Sequence, residues 1–162
     1  MSTNDDTSAG EPTRTPEEVT SPARALWAER QGGPEYIAYN GRGAQVRLGR
    51  GDAEGVFSPG ELLKIALAAC TALSADHVLR SRLGEDFPAL VGVSSTGVEG
   101  ENRYGSLDVE LVLDMSELEE DRRAKLPERV ARTAERQCTV GRTLKAGADY
   151  ELTISDEPLG RG

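Results

Sequence analysis

Two residues in the chain could carry nucleophilic or redox chemistry. Cys70 stands in "ELLKIALAACTALSADHVL" and Cys138 in "AERQCTVGRTLKAG". A thiolate can attack an O–O bond and become a sulfenic acid, which a second thiol then condenses to a disulfide. The same two residues serve equally as small core side chains, because free cysteine is among the most buried residue types. Closing a disulfide needs the two Cα atoms within about 7 Å, a condition the separation in sequence neither helps nor forbids. Two isolated cysteines are too few for a metal motif, and His77, the single histidine, adds no second ligand. No metal or flavin is expected.

Composition narrows the setting. The chain has 162 residues and 17.3 kDa, which suits one domain, and 37% of its residues are apolar, so a real core is possible. The net charge of −9 and pI of about 4.7 argue against nucleic acid as a partner, since that needs clustered Lys and Arg. No apolar run reaches the roughly 18 residues of a membrane span, and "MSTNDDTSAGEPTRTPEEVTSP" has no apolar signal-peptide region. The expectation is a cytoplasmic protein that meets no membrane. There, structural disulfides are rare and a cysteine pair that does bond is usually redox-active.

Several elements must position the cysteines. Residues 1–22 read as a disordered acidic tail, and 23–158 as one domain. "EYIAY" and "AQVRL" flank Asn40-Gly41, a hairpin signal. In "SPGE", Ser58 suits an N-cap, Pro59 the first helical position and Glu61 a capping box. From Leu62 to Leu83 the pattern is apolar nearly all round, which predicts a central helix buried on most sides, wrapped by sheet or by a second subunit, and ended by Gly84. "ALVGVSSTGVEG" and "SLDVELVLDM" read as strands, the second alternating at Leu107, Val109, Leu111 and Leu113. "SELE" repeats the capping signature at Ser116 and Glu119, and Pro127 predicts two helical pieces, about 117–125 and 127–137. Apolar residues at 126, 130, 134 and 138 put Cys138 on the buried side at the helix end. "DYELTIS" reads as a last strand, and the order gives an α+β fold.

"SPGELLKIALAACTAL" followed by "QCTVGRTLKAG" resembles the OsmC/Ohr family of thiol-dependent peroxidases, closer to its broad OsmC-like branch, over residues 25–155. The resemblance rests on Pro59 ahead of Cys70, on an Ala-rich helix carrying Cys70, and on a second cysteine between a helix and a "TVGRTL" turn. It implies antiparallel sheets wrapped around a buried central helix, an intertwined homodimer, and active sites at the subunit interface. It further implies that Cys70 attacks organic or fatty-acid hydroperoxides, that Cys138 resolves its sulfenic acid, and that an external dithiol or lipoyl-type carrier supplies the electrons.

A buried thiol is inert, so a peroxidatic cysteine needs a nearby cation. The family supplies an arginine from the first strand region, which "LWAERQGG" matches through Arg30; Arg24, Arg42 and Arg47 are weaker candidates. The family's peroxidase branches place a glutamate directly after the motif proline, where this chain has Gly60. Glu61 follows, turned by about 100° around the helix, and serves either as a supporting carboxylate or as a capping residue. His77 tunes the site or simply packs. Arg142 and Lys145 raise the local potential or belong to a solvated turn, while Trp27 and Tyr36 line a substrate pocket or pack the sheet. The Gly60 departure leaves a second reading open, a non-peroxidatic small-molecule binding protein or a stress-associated dimer of the same fold.

Overall fold

The computed structural model describes residues 26–156. The expected tail, Arg24 and the last residues of the domain lie outside that range. Two compact units meet in sequence at Pro59–Gly60.

The first unit holds an antiparallel sheet of β1 (Leu26–Gly32), β2 (Glu35–Asn40) and β3 (Gln45–Leu48), in that order. The hairpin between β2 and β3 forms where Asn40 predicts it. Its turn is longer than a two-residue one: Asn40 Oδ1 accepts from the amides of Arg42 and Ala44, and Gly43 rather than Gly41 takes a positive φ of 88°. Trp27 stacks on Tyr39 at 5.4 Å and donates its indole N–H to Glu29, so it packs the sheet.

The second unit begins within α1 (Pro59–Leu83) and continues through β4 (Ala89–Gly97), β5 (Tyr104–Leu113), α2 (Glu120–Gln137) and α3 (Thr139–Ala146). Pro59 is the first helical residue, as its fixed φ favours. Gly84 ends α1 at φ 95° with its N–H on the Arg80 carbonyl. β4 and β5 form an antiparallel ribbon, with Val93 opposite Val109. Residues Leu107, Val109, Leu111 and Leu113 take its inner face, as their alternation predicts. Ala75, Val78, Leu79 and Leu126 are the buried centre, with Leu111, Met115 and Val130 packed around it.

Four expectations are corrected. The "SELE" capping box does not form: Glu119 is itself the N-cap residue and its side chain makes no cap bond, while the Ser116 amide bonds Asp114. The two helical pieces are one helix running through Pro127. An interior proline costs about 3 kcal/mol. Leu126, 2% exposed, and Val130 anchor the helix on either side of it, and burial of that size offsets the loss. "DYELTIS" forms no strand, and its alternating Tyr150, Leu152 and Ile154 are 93%, 78% and 88% exposed. A strand needs a partner for its ladder, and none pairs with this segment among the described residues. Finally, α1 is long and apolar enough, by length and composition, to cross a membrane. The run criterion missed this because scattered polar residues such as Thr71 and Ser74 interrupt the run without making the helix polar on average.

The all-round burial expected for α1 is met only in part. Of its 25 residues Leu67, Ala68, Ala75, Val78 and Leu79 are buried, whereas Leu63, Ile65 and Leu73 are exposed.

Leu126→Ala is expected to cost about 3 kcal/mol, whereas Pro127→Ala should stabilise by about 2 kcal/mol after the more flexible unfolded chain is allowed for. Urea unfolding measures both. A destabilised Pro127→Ala would show that the helix is built around the proline rather than in spite of it.

Candidate functional site

The sulfurs of Cys70 and Cys138 are neighbours in the second unit. Cys70 stands on α1, partly exposed, and Cys138 is 4% exposed at the junction of α2 and α3; both are free thiols. The junction explains their meeting. Cys138 has extended backbone, φ −69° and ψ 100°, so α2 stops there and α3 restarts at Thr139 in a new direction. The residue still closes both helices: its N–H bonds the Ala134 carbonyl at 2.8 Å and its carbonyl accepts from Arg142 at 2.9 Å.

A helix start leaves its first amide groups without intrahelical partners. Here they go to sulfur. The amides of Val140 and Thr139 donate to Cys70, and that of Gly141 donates to Cys138 at 3.2 Å. The neighbouring Cys138 thiol lowers the Cys70 pKa as well. Thr71, one residue past Cys70, sits 3.8 Å from the Cys138 sulfur. The Ser74 hydroxyl lies near the Cys70 sulfur but has only one proton, and the 2.7 Å bond to the Cys70 carbonyl claims it. The backbone amides therefore carry the effect. They hold the Cys70 pKa below the ordinary thiol range, with the Val140 N–H the largest contributor, against the smaller opposing push of burial. Gly141 makes the approach possible: a Cβ there would meet the Cys138 sulfur at 3.3 Å and Leu67 at 3.5 Å.

Beside the pair opens a hollow of about 1310 Å³. Leu67 and Thr71 of α1, Leu111 of β5, Val130 of α2 and Cys138 line it, with Arg142 and Lys145 at its edge. Its floor is mainly apolar, so it fits an acyl or aryl body better than a polar one.

The candidate supporting residues fare differently. Arg30 stands exposed on β1, paired in register with Tyr36, and has no ion pair among the described residues. It belongs to the first unit and the sulfurs to the second. Arg47 is engaged by Glu35 at 3.1 Å, and Arg42 lies in the hairpin turn. Glu61 lies in the first turn of α1. His77 is exposed and faces arginines of α2, so it neither packs nor joins the cysteines. "TVGRTL" is helical rather than a turn, and Lys145 within that helix reaches Glu135 at 3.2 Å. The amides of α3 were missed because a short segment with one glycine reads as a turn; the N-cap preference for a small polar side chain at 138 was the available signal.

Position 60 carries its own explanation. The hydroxyl of Tyr104, at the start of β5, occupies the place where a Cβ on Gly60 would stand. The ring of Tyr104 also carries Lys64 Nζ at 5.3 Å from its centroid. A tyrosine thus fills the space that a glutamate at position 60 would enter.

A family model described as "OsmC-like protein" matches residues 51–153, which include both cysteines and all of α1, α2 and α3. The chain belongs to the OsmC-like family. An uncharacterized protein of Mycobacterium tuberculosis (strain ATCC 25618 / H37Rv) is 47% identical over 131 residues, covering 81% of this chain and 96% of its own length. Two solved structures are similar to this one in fold. One is an OsmC like protein from Mycoplasma pneumoniae, at TM-score 0.58 and 18% identity, covering 76% of this chain and 88% of that one. The other is a hypothetical protein from Aquifex aeolicus VF5, at TM-score 0.58 and 16% identity, covering 78% and 89%. The OsmC-like motif read from the sequence and the fold seen here therefore agree, and the mixed class with antiparallel sheets is that of the family.

Two outcomes follow from this geometry. Thr139→Pro removes one amide donor at the first helical position, after an extended residue, where proline fits best. It should raise the Cys70 pKa and shift the pH profile of Cys70 alkylation to higher pH, while circular dichroism stays unchanged. An unshifted profile would remove the Thr139 amide from the site. Gly60→Glu alone should be destabilised by the Tyr104 ring, and Gly60→Glu with Tyr104→Ala should recover most of the loss. Equal loss in both variants would mean that Tyr104 yields freely.

Proposed function

We propose that this OsmC-like protein is a thiol-dependent peroxidase that reduces organic or fatty-acid hydroperoxides, with Cys70 peroxidatic and Cys138 resolving. The observation that carries the reading is the juxtaposition of the two sulfurs, with the more accessible Cys70 held toward its thiolate by the amides at the start of α3. The Cys70 thiolate attacks the terminal peroxide oxygen, the O–O bond breaks, and the alkoxide leaves with a proton as an alcohol. Cys70 is then a sulfenic acid. The Cys138 sulfur displaces its hydroxyl as water and closes the disulfide. An external dithiol or lipoyl-type carrier takes the disulfide back to two thiols and is itself oxidised. The apolar hollow beside Cys138 would hold the hydroperoxide's body, and Arg30 is the arginine we assign to support the Cys70 thiolate, with Glu61 as a supporting carboxylate.

The working form we assign is a cytoplasmic homodimer. The exposed faces of α1 and of the Tyr150–Ile154 segment support it, since apolar surface of this kind normally marks an interface. A second reading, a non-peroxidatic binding protein of the same fold, draws on one observation: Tyr104 stands where the peroxidase branches' glutamate would be.

Intact-mass spectrometry after one equivalent of an organic hydroperoxide separates the two. Wild type should lose about two mass units as the disulfide closes, Cys138→Ser should gain about one oxygen that dimedone traps, and Cys70→Ser should not react. A wild-type mass that stays constant, with both thiols still titratable, would leave the binding protein as the better account.

A further inference from the structure

Away from the cysteines, a second hollow of about 490 Å³ opens between α1 and α2. His77 borders it from α1, over Val78, and Arg129, Arg132, Arg136 and Gln137 border it from α2. At about 100° per residue the three arginines fall within an arc of about 60° on one helix face. In a chain with 19 basic and 28 acidic residues, this wall is conspicuous for its sign.

The acids nearby neutralise it only in part. Glu128 pairs with Arg132, and Asp76 of α1 is held by Arg80 at 3.2 Å. Arg129 and Arg136 have no ion pair among the described residues. Like charges aligned along one helix face repel, so the arrangement costs stability as it stands. The carbonyl end of α2 points the same way as an obstacle, because it carries about half a negative charge that disfavours anions. Two unpaired guanidinium groups outweigh that half charge. They also present planar donor forks suited to two-oxygen acceptors, and the Gln137 amide and the His77 ring add further donors.

We propose that this hollow is a binding site for a small oxyanion, a carboxylate or phosphate group, gripped by Arg129 and Arg136 with His77 and Gln137 completing its rim. The site is separate from the thiol chemistry, and its occupancy requires no turnover at Cys70.

His77 supplies the reporter, because it is the only histidine and its Hε1 proton gives one resolved NMR signal. The full chain is titrated at constant pH with sodium phosphate and, in a second arm, with sodium succinate, ionic strength being held with sodium chloride. The expected result is a saturable shift of the His77 signal. Saturation by phosphate alone assigns a phosphate group, and saturation by succinate alone a carboxylate. In Arg129→Gln/Arg136→Gln the apparent affinity should fall by roughly tenfold or more, on the loss of two charge-assisted contacts. It should be unchanged in Arg122→Gln/Lys125→Gln, which removes the same charge from the other end of α2. A shift that stays linear and matches the chloride control overturns the proposal, as does a saturable shift that survives Arg129→Gln/Arg136→Gln.

Discussion

The start of α3 organises the chemistry of the second unit. A buried thiol left among hydrocarbon would stay protonated and inert. What changes that here is a set of amide N–H groups with no carbonyl to bond, produced wherever a helix begins. The extended backbone of Cys138 forces such a beginning directly beside α1, and the three released amides find two sulfurs. No side-chain cation is needed for this part of the effect. The dependence runs both ways. A helix of eight residues has little stability of its own, and the exposed Lys145–Glu135 pair adds little. Gly141, without a side chain, lets it lie close to Leu67 of α1 and to the Cys138 sulfur.

This arrangement makes the two cysteines unequal. Cys138 is buried and acts as a helix cap, so its position is fixed by backbone bonds on both sides. Cys70 is more accessible and receives donors from the opposing helix. A peroxidatic thiol must meet an outside substrate, while a resolving thiol need only meet its partner. The observed division of accessibility suits the roles proposed above.

Position 60 joins a local signal to a neighbour that is distant in sequence. Proline still opens α1, so the local signal for a helix start is intact. The next residue is glycine, and an aromatic ring from a strand more than 40 residues away in sequence lies where its Cβ would stand. The Gly60 departure was visible in the sequence; the tyrosine that answers it was not, because nothing local connects the two positions.

What the sequence by itself determined is the set of elements whose signals are local. The hairpin at Asn40, the proline start and glycine stop of α1, the alternating face of β5 and the buried stripe from Leu126 to Cys138 each depend on neighbours within a turn or two. The family motif around the two cysteines was equally legible, since it is a pattern of residue types in order. Tertiary structure alone decided the rest. It carried α2 through Pro127, because Leu126 and Val130 bury apolar surface on both sides of the lost hydrogen bond. It made "TVGRTL" a helix and turned its free amides toward sulfur, and it gathered His77 and three arginines around one hollow. It also left "DYELTIS" unpaired despite its strand pattern. A strand's ladder, a helix carried past a proline and a thiolate's donors are all supplied by groups distant in sequence, so composition and periodicity can name the need but not the group that meets it.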